Sequence, residues 1–335
     1  MNGGNNEYSY SKNSHIQRNV AEKAKSILVS GIIDNLDIEN SSSSSSLNKF
    51  TIADLGCSTG PNTFISVENI IEAIRQKFKI LPEIQVYFND HVSNDFNALF
   101  FNLPSSRNYF ACGVGGSFHG RLFPKGSINF VYSAFALQWL SKVPSELNCG
   151  VCNGGRIHYG NAPKEVCDAY YGQYERDMIS FFDCRAEEVA PAGLMAFLVP
   201  GRPDEALPSQ FSLSLFLQIL ESCLVDMADE GEISKEKLES FNMPLYSPSI
   251  EELRRIIDKN GKFSIVKLEA HEESIKMLSS RSCRSGFESI ISKHFGGEII
   301  EQLFKRYDTK FAQHYPIVVA DCTSLYIFVL LKRHL

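Results

Sequence analysis

The stretch 51–62, TIADLGCSTGPN, decides the fold. Its first residues are apolar and suited to a β-strand, which runs into an acid, Asp54. Two glycines, Gly56 and Gly60, follow before a proline and Asn62, a pattern typical of a strand, a tight loop and a helix N-terminus. This junction lets the backbone approach a nucleotide-like ligand. The acid suits a ligand that is cationic or rich in hydroxyls better than one rich in phosphate.

Composition predicts a soluble cytoplasmic enzyme. The chain has 335 residues, of which 44% are hydrophobic and 21% charged, with a net charge of -6 and no basic block, which argues against a nucleic-acid partner. No run approaches the ~20 apolar residues that a membrane span needs, and the N-terminus lacks the apolar segment of a signal peptide. The nine scattered cysteines fit reduced thiols.

Strands alternate with helices over the first two hundred residues, which predicts an α/β fold with a mostly parallel sheet covered on both faces. After Pro203 the alternation weakens. We expect a core formed by residues 1–202 and 262–335, with an N-terminal closing segment, and a helical cap formed by residues 203–261 and parts of 269–312. The strands are expected at 51–55, 84–88, 109–114, 128–133, 194–199, 263–268 and 325–331.

Local signals support some of the helix starts. Ser14 is placed to cap a helix that continues to about residue 32, and Ser249 has Glu252 at the capping-box spacing. The run of six serines at 41–46 cannot bury apolar surface and predicts a surface connector.

Asp54 and Asp90 both end strands, one β-α-β unit apart. In an open parallel sheet, ligands bind beyond the carboxyl ends of the strands, where these acids could take ribose hydroxyls. Local spacing alone allows NAD or S-adenosylmethionine, or two acids that only cap helices. A strict G-x-G-x-x-G is absent, so the phosphate-free S-adenosylmethionine is favoured.

Five motifs in this order resemble those of the plant SABATH methyltransferases, which act on salicylate, jasmonate, loganate and related acids, and on xanthine alkaloids. They are DLGCSTGPN at 54–62, FNDHVSNDFNALF at 88–100, GSFHGRLFP at 116–124, ALQWLSKVP at 136–144 and FNMPLYSPS at 241–249. The resemblance extends from the N-terminus to the last strand. It implies a Rossmann-like class I methyltransferase core with a helical cap, dependence on S-adenosylmethionine and a homodimer.

Carried over motif by motif, the resemblance implies two sets of binding residues. In the cofactor set, Asp90 would take the ribose, His91 and Phe118 would flank the adenine, and Ser117 would bind its edge. In the acceptor set, Gln17 and Trp139 would be the catalytic pair that tethers the substrate carboxylate. The cofactor set is Ser14, Asp54, Gly56, Asn62, Asp90, His91, Ser117 and Phe118. The acceptor set is Tyr10, Gln17, Phe135, Gln138, Trp139, Leu217 and Tyr246.

The chemistry of that pair is simple. A carboxylic acid with a pKa of ~4 is already ionised near neutral pH, so its methylation needs no general base. Neutral N–H donors can hold the carboxylate without suppressing its nucleophilicity. The protein then has to align the reacting atoms and exclude water, and such positioning can lower a barrier by about 7–11 kcal/mol.

Three positions depart from the acid-methylating pattern. Phe135 stands where many members carry tyrosine, Gln138 resembles the xanthine-methylating relatives, and Leu217 replaces a tryptophan that sandwiches small aromatic acids, which argues against salicylate. N-methylation of a xanthine-like heterocycle is therefore the alternative, and it would need a proton acceptor near Gln138 or His158. A catalytically inactive binding protein is a lower-ranked alternative.

Several family members carry a divalent metal near a motif that here reads Glu239-Ser240-Phe241-Asn242. Asn153 is a further candidate ligand beside Glu239, Phe241 and Asn242. Oxygen donors of this kind suit Mg²⁺, whose role here would be structural. The alternative is a helix terminus followed by a turn.

Overall fold

A computed structural model of the protein describes residues 7–37, 49–78, 81–148, 153–205, 212–274, 279–321 and 323–335. The serine run at 41–46 lies outside these ranges. Within them, no helix is both long enough and apolar enough to cross a membrane.

Seven strands form one mixed sheet, and all seven correspond to predicted strands. Their bounds are β1 Lys49–Leu55, β2 Glu83–Asp90, β3 Phe110–Gly115, β4 Ile128–Ala134, β5 Val189–Gly201, β6 Phe263–Ser274 and β7 Thr323–Arg333. Across the sheet they follow the order β3-β2-β1-β4-β5-β7-β6.

Strands β1 to β5 pair in parallel, and β7 pairs antiparallel with both β5 and β6. The chain order reverses beside β1, which has β2 on one side and β4 on the other. A reversal of this kind opens a crevice at the carboxyl ends of the strands, where ligands of α/β proteins bind. The fold thus places the loop after β1 at the predicted binding edge.

The described helices cover both faces of the sheet and one end of it. They are α1 Tyr10–Asn13, α2 His15–Lys23, α3 Lys25–Asn35, α4 Pro61–Lys77, α5 Phe96–Phe101, α6 Lys164–Glu188, α7 Ser212–Asp229, α8 Lys235–Ser240, α9 Ile250–Asn260, α10 Ser280–Phe295 and α11 Ile300–Asp321. The predicted helix after Ser14 is therefore two helices, joined at Ala24. The Ser14 side chain does not cap α2, and its hydroxyl accepts a hydrogen bond from Asn62 Nδ2 at 2.9 Å.

Burial on both faces explains why β1 is almost continuously apolar. Ile52 packs in a cluster with α3 and α4, whereas its neighbour Ala53 packs in a second cluster with α6 and α9. A parallel strand covered on both sides loses the polar alternation of a half-exposed strand. Asp54 interrupts this apolar run at its carboxyl end.

A third apolar cluster joins helices α7, α8, α10 and α11. Leu220 of α7 and Leu303 of α11 are fully buried in it. Helix α9 falls within the range predicted for the cap, yet its apolar face packs in the cluster that also contains α6. The capping box of Ser249 and Glu252 at the start of α9 is confirmed.

A buried ion pair fixes the loop that follows β3. Arg185 and Glu188 of α6 both have 0% side-chain exposure and pair at 2.8 Å. The Arg185 guanidinium also donates to the carbonyls of Phe118 and Gly120, at 3.0 and 2.8 Å. Without Arg185, Glu188 would lose its nearest cation and keep Arg121, at 3.4 Å, and the backbone N–H groups of Leu122 and Phe123.

We expect Arg185→Ala to lower the free energy of unfolding by about 3 kcal/mol, because the buried Glu188 would lose its nearest cation and keep only the partly exposed Arg121, at 3.4 Å, and two backbone N–H donors. Arg176→Ala is the matched control, since it breaks an exposed pair with Glu146 and should cost only ~0–1 kcal/mol. Urea unfolding followed by circular dichroism measures both variants. Equal losses in the two would contradict the structural role of the buried pair.

Candidate functional site

Two adjoining cavities lie at the carboxyl ends of the central strands. The small one has a volume of about 40 Å³ and the large one about 160 Å³. Tyr10, Gln17 and Phe135 line both. Ligands in the two cavities would therefore be in direct reach of each other, which is the arrangement that a group transfer needs.

The small cavity is built around a buried acid. Asp54 is 3% exposed, and the Thr63 hydroxyl donates a hydrogen bond to its Oδ2. Burial raises the pKa of Asp54 to about 7, the hydrogen bond from Thr63 opposes this shift in part, and the negative charge of Asp90 adds to it. An acid in this state favours a cationic ligand, because a nearby positive charge would restore its ionised form.

Gly56 is required by packing as well as by backbone conformation. Its φ is +80°, and a Cβ at this position would lie 2.3 Å from the Cβ of Ala136. The Cα of Ala136, at 3.7 Å, and the edge of the Phe118 ring, at 3.9 Å, are the next contacts. This close approach brings the end of β1 against the segment that follows β4.

Asp90 ends β2 beside the same loop. Its carboxylate accepts hydrogen bonds from the backbone N–H groups of Ser58, at 2.8 Å, and His91, at 2.7 Å. Burial raises the pKa of Asp90, against the opposing effect of these bonds. Each carboxylate oxygen keeps further acceptor capacity, so the group can still bind hydroxyls.

Asn89 is a structural residue of the site that the sequence did not identify. Its carbonyl accepts from the N–H groups of Gly56 and Cys57, at 2.8 and 3.0 Å. Its side-chain amide donates to the carbonyls of Val114 and Gly116, at 2.8 and 3.0 Å. Asn89 therefore joins the ends of three adjacent strands, and only its place before Asp90 could have indicated this.

The predicted adenine residues lie on the same edge of the sheet, outside the small cavity. Asp90 is in register with Gly115 at the end of β3, so the segments carrying His91, Ser117 and Phe118 are neighbours. His91 and Ser117 are exposed, and Phe118 is half-buried against Phe181. These positions suit an edge that a flat ring could cover.

Asn62 lines the small cavity at the start of α4. Its Nδ2 bonds to both the hydroxyl and the carbonyl of Ser14, at 2.9 and 3.2 Å. Ser14 itself does not line either cavity. Its place in the structure is to join the N-terminal helices to α4, which holds Tyr10 and Gln17 over the site.

The large cavity has mostly apolar walls with a few polar groups. The half-buried Trp139 packs edge-on against Phe287 of α10, with ring centroids 6.0 Å apart. None of the described lining residues is Asp, Glu, His, Lys or Arg. The described lining is Tyr10, Ile16, Gln17, Phe135, Gln138, Trp139, Pro200, Leu213, Phe216, Leu245, Ser279, Ser282, Cys283, Gly286, Phe287 and Ser324.

The two ionisable groups in this lining resist ionisation near neutral pH. Burial raises the pKa of Tyr10, and it raises the pKa of Cys283 to about 12. The described walls therefore provide no group that could accept a proton from a substrate at pH 7. They also provide no fixed positive charge for an acid.

Phe135 is one of the residues that line both cavities. It has a φ of +54°, an uncommon value for a residue with a side chain, and its N–H donates to the carbonyl of Leu198 at 2.9 Å. The backbone turns sharply at this point as β4 ends. The turn directs the chain into the segment that carries Gln138 and Trp139.

A second segment holds Gln138, Trp139 and Leu140 in place. The N–H of Leu140 donates to the carbonyl of Pro244 at 2.8 Å, and the N–H of Tyr246 donates to the carbonyl of Gln138 at 2.9 Å. Trp139 and Leu245 form the isolated antiparallel bridge between these bonds. The motif at 241–249 thus acts mainly as a backbone support for the motif at 136–144.

Two predicted acceptor residues do not line the cavity. Tyr246 is buried in an aromatic cluster, stacked on Tyr159 with centroids 5.1 Å apart, and its hydroxyl donates to Glu252. Leu217 is buried in the third cluster, while its neighbour Phe216 lines the wall. The structure therefore places both residues behind the wall, and an apolar residue on a helix or turn gives no local sign of which side it faces.

Other cavity residues were missed for the same reason. Most of them lie in α2, in the first two turns of α7 and α10, and in the segment 241–249, where many residues are equally spaced. Only the packing of these elements over the sheet selects the ones that face the site. The missed residues are Ile16, Pro200, Leu213, Phe216, Leu245, Ser279, Ser282, Cys283, Gly286, Phe287 and Ser324.

His158, considered as a proton acceptor, lies outside the large cavity. Its ring packs on Tyr159, with centroids 4.2 Å apart, and its Nδ1 accepts from the N–H of Gly160 at 3.3 Å. Burial lowers the pKa of His158 to about 3. It therefore does not serve the site as a base.

The structure does not support the predicted magnesium site. Asn153 Nδ2 donates to Asn242 Oδ1 at 2.8 Å, so this Asn242 oxygen is already engaged, whereas Asn153 Oδ1 is buried with no partner among the described residues. Glu239 is exposed, and Phe241 packs its ring against Phe295. Within the described ranges, no cluster of three or more His, Cys, Asp or Glu side chains forms a metal site. The donors fit the alternative of a helix end followed by a turn.

Comparison with known proteins gives one consistent family. A model of the SAM-dependent carboxyl methyltransferases matches residues 1–334. Loganic acid O-methyltransferase of Catharanthus roseus is 41% identical, with 99% of this chain and 94% of the relative covered. A 3,7-dimethylxanthine N-methyltransferase of Camellia sinensis var. assamica is 34% identical, with 92% and 89% covered.

A solved structure described as loganic acid methyltransferase with SAH has the same fold. Its TM-score is 0.94 at 38% identity, and the match covers 100% of this chain and 98% of that one. The core of seven strands with helices on both sides is thus a methyltransferase fold.

The raised pKa of Asp54 predicts that binding of S-adenosylmethionine depends on pH. If the cationic ligand restores the ionised form, affinity should fall about tenfold per pH unit as the pH drops below 7. Close to one proton should be released on binding at pH 6. Isothermal titration in two buffers of different ionisation enthalpy measures both quantities.

Asp54→Asn should bind more weakly at pH 8 and lose most of this dependence, leaving only the part that comes from Asp90. Asp168→Asn is the control, because Asp168 is exposed and far along the chain in α6. Without ligand, the free energy of unfolding changes with pH in the direction opposite to the affinity. The folded protein keeps a proton on Asp54 between about pH 4 and 7 that the unfolded chain loses, so stability falls as the pH rises through this window. Binding that is independent of pH would show that Asp54 does not face the cation.

Proposed function

Because this chain belongs to the family of S-adenosylmethionine-dependent carboxyl methyltransferases, we propose that it converts the carboxylate of a small, largely apolar plant acid to its methyl ester. The small cavity would hold the methyl donor and the large cavity the acid. S-adenosylmethionine supplies a methyl group on a cationic sulfur, and the carboxylate oxygen forms the new bond as the carbon–sulfur bond breaks. The proposal rests on residues that bind, align and shield, without a proton transfer.

The observation that best supports this proposal is the chemistry of the walls of the large cavity. Its described walls contain no carboxylate, imidazole or amine, and burial keeps its tyrosine and cysteine protonated near pH 7. A substrate that must lose a proton during the reaction would find no acceptor there. A carboxylic acid with a pKa of ~4 arrives without that proton and needs none.

Gln17 and Trp139 would orient the acid. Gln17 lines both cavities from α2, and Trp139 lines the large one from the supported segment after β4. The side-chain amide and the indole N–H are neutral donors, so they can hold a carboxylate oxygen while leaving the other free to react. An arginine at either place would bind the acid more tightly and make it a poorer nucleophile.

Asp54 and Asp90 would hold the donor. Their two carboxylates lie at the ends of adjacent strands and are both destabilised as anions by burial, which favours a bound cation. Asn62 adds an amide beside them at the start of α4. The exposed edge with His91, Ser117 and Phe118 would receive the adenine.

Helices α7 and α10 would act as the cap. Leu213 and Phe216 of α7 and Phe287 of α10 form apolar walls of the large cavity. Tyr10 closes the opposite side and touches both cavities. Walls of this kind exclude water from the reacting atoms, which strengthens the hydrogen bonds that hold the acid.

N-methylation of a heterocycle remains the second candidate, since the chain is also related to an N-methyltransferase. The Gln138 amide lines the cavity and could recognise a ring N–H. This candidate lacks a proton acceptor among the described walls, and His158 is not one of the residues that line them. It therefore ranks below the acid.

The test is to incubate the protein with S-adenosylmethionine labelled in the methyl group and with separate panels of carboxylic acids and xanthines. We expect labelled products from the acids that release methanol on mild alkaline hydrolysis, as esters do. Mass spectrometry identifies the methylated compound. Products only from the xanthines, stable to alkali, would replace the acid by the second candidate.

Gln17→Met is the companion variant. It keeps the length of the side chain and removes the donor, so we expect acid turnover to fall by about tenfold or more, since a hydrogen bond to a charged group is worth about 1.5–3 kcal/mol. Affinity for S-adenosylhomocysteine, measured by titration, should change by less than about threefold. An equal loss of both would assign Gln17 to the structure of α2.

A further inference from the structure

We propose that the acid carries a hydroxyl group that donates a hydrogen bond to the side-chain oxygen of Gln138. The inference rests on the proposed function and narrows it to hydroxylated acids. It follows from the orientation of one buried amide in the wall of the large cavity.

The Gln138 amide has a fixed orientation. Its Nε2 donates to the carbonyl of Phe135 at 2.7 Å. Turning the amide over would bring its oxygen against that carbonyl oxygen, and two acceptors repel each other. The main chain is fixed as well, because the carbonyl of Gln138 accepts from the N–H of Tyr246 at 2.9 Å.

This orientation leaves Oε1 as a buried acceptor. Gln138 is 9% exposed, and Oε1 has no hydrogen-bond partner among the described residues. Two hydroxyls of the same wall are already paired. Those of Ser279 and Ser282 lie 3.1 Å apart, and that of Ser282 also donates to the carbonyl of Asn13 at 3.3 Å.

An unpaired buried acceptor is unfavourable, and a matching donor on a ligand removes that penalty. The carboxylate itself cannot supply the donor, since it has only acceptor oxygens. A hydroxyl elsewhere on the acid can. Oε1 is covered by neighbouring atoms, so the side chains around it have to shift slightly as the acid enters, which is common at binding sites.

The cavity selects a hydroxyl over a charged donor. A second charge on the substrate would enter walls that hold no described opposite charge, at a large desolvation cost. A ring N–H offers the same chemistry as a hydroxyl and is the other source of a neutral donor. The experiment separates the two sources.

The test compares matched ligands. Benzoate, its three hydroxy isomers and its three methoxy isomers are titrated into the protein saturated with S-adenosylhomocysteine, and the same is done with cyclohexanecarboxylate and its hydroxy and methoxy derivatives. We expect at least one hydroxy acid to bind about 5- to 150-fold more tightly than both its parent and its methoxy counterpart. A methoxy group has similar polarity but cannot donate.

Three variants identify the acceptor. Gln138→Met should reduce the hydroxyl preference to within about threefold, and Gln138→His should retain it, because a neutral imidazole has one donor and one acceptor. Leu245→Met changes another wall residue at similar volume and should also retain it. The comparison of hydroxy with methoxy acids on the unaltered protein stands even where a variant does not fold.

The inference would be overturned if no hydroxy acid binds, or if none is preferred by more than about threefold over its parent and its methoxy counterpart. It would also be overturned if the preference survives in Gln138→Met. The fourth contrary result concerns xanthine, included as an N–H probe: its binding depends on Gln138 while the binding of the hydroxy acids does not. Ester formation from the acids is measured separately. Esters formed without a hydroxyl preference would refute this inference alone, whereas a hydroxyl preference without any ester would refute the proposed function.

Discussion

A buried carboxylate without a described cationic partner is the constraint on which the site depends. Asp54 ends an almost wholly apolar strand, and burial raises its pKa to about 7. The buried position of this carboxylate depends on the Thr63 hydroxyl, on a glycine at position 56 and on the strand ends that Asn89 joins. This arrangement costs stability in the free protein. It is compensated when a cation binds, and the methyl donor of this family is cationic at sulfur.

In the proposed function the two cavities have different roles. The small cavity, which would hold the donor, contains an acid, whereas the described walls of the large cavity carry no charge. Phe135 and Gln17 line both cavities, so a methyl group would pass directly from a donor in one to an acid in the other. In this proposal the acid is reactive because it enters as an anion and sheds its hydration shell. The protein does not need to remove a proton from it.

Regular patterns made the sheet and the donor loop predictable. The strands were predictable because buried parallel strands are continuous apolar runs. The loop after β1 was predictable because glycine, proline and an acid stand at fixed places in and beside it. The acceptor wall was less predictable. Tyr246 and Leu217 lie outside the described lining of the cavity, and the Asn242 side-chain oxygen accepts a hydrogen bond from Asn153 instead of being open to a metal. Such outcomes depend on how helices pack, which residue identity and spacing do not encode locally.

The rate of a single turnover as a function of pH tests the central claim most directly. Excess protein saturated with S-adenosylmethionine is mixed with an acid that it methylates, between pH 6.5 and 9. The account predicts a rate constant within about twofold across this range, since an acid with a pKa of ~4 is fully ionised throughout. A rate that rises about tenfold per pH unit would contradict it, because the reaction would then require a base.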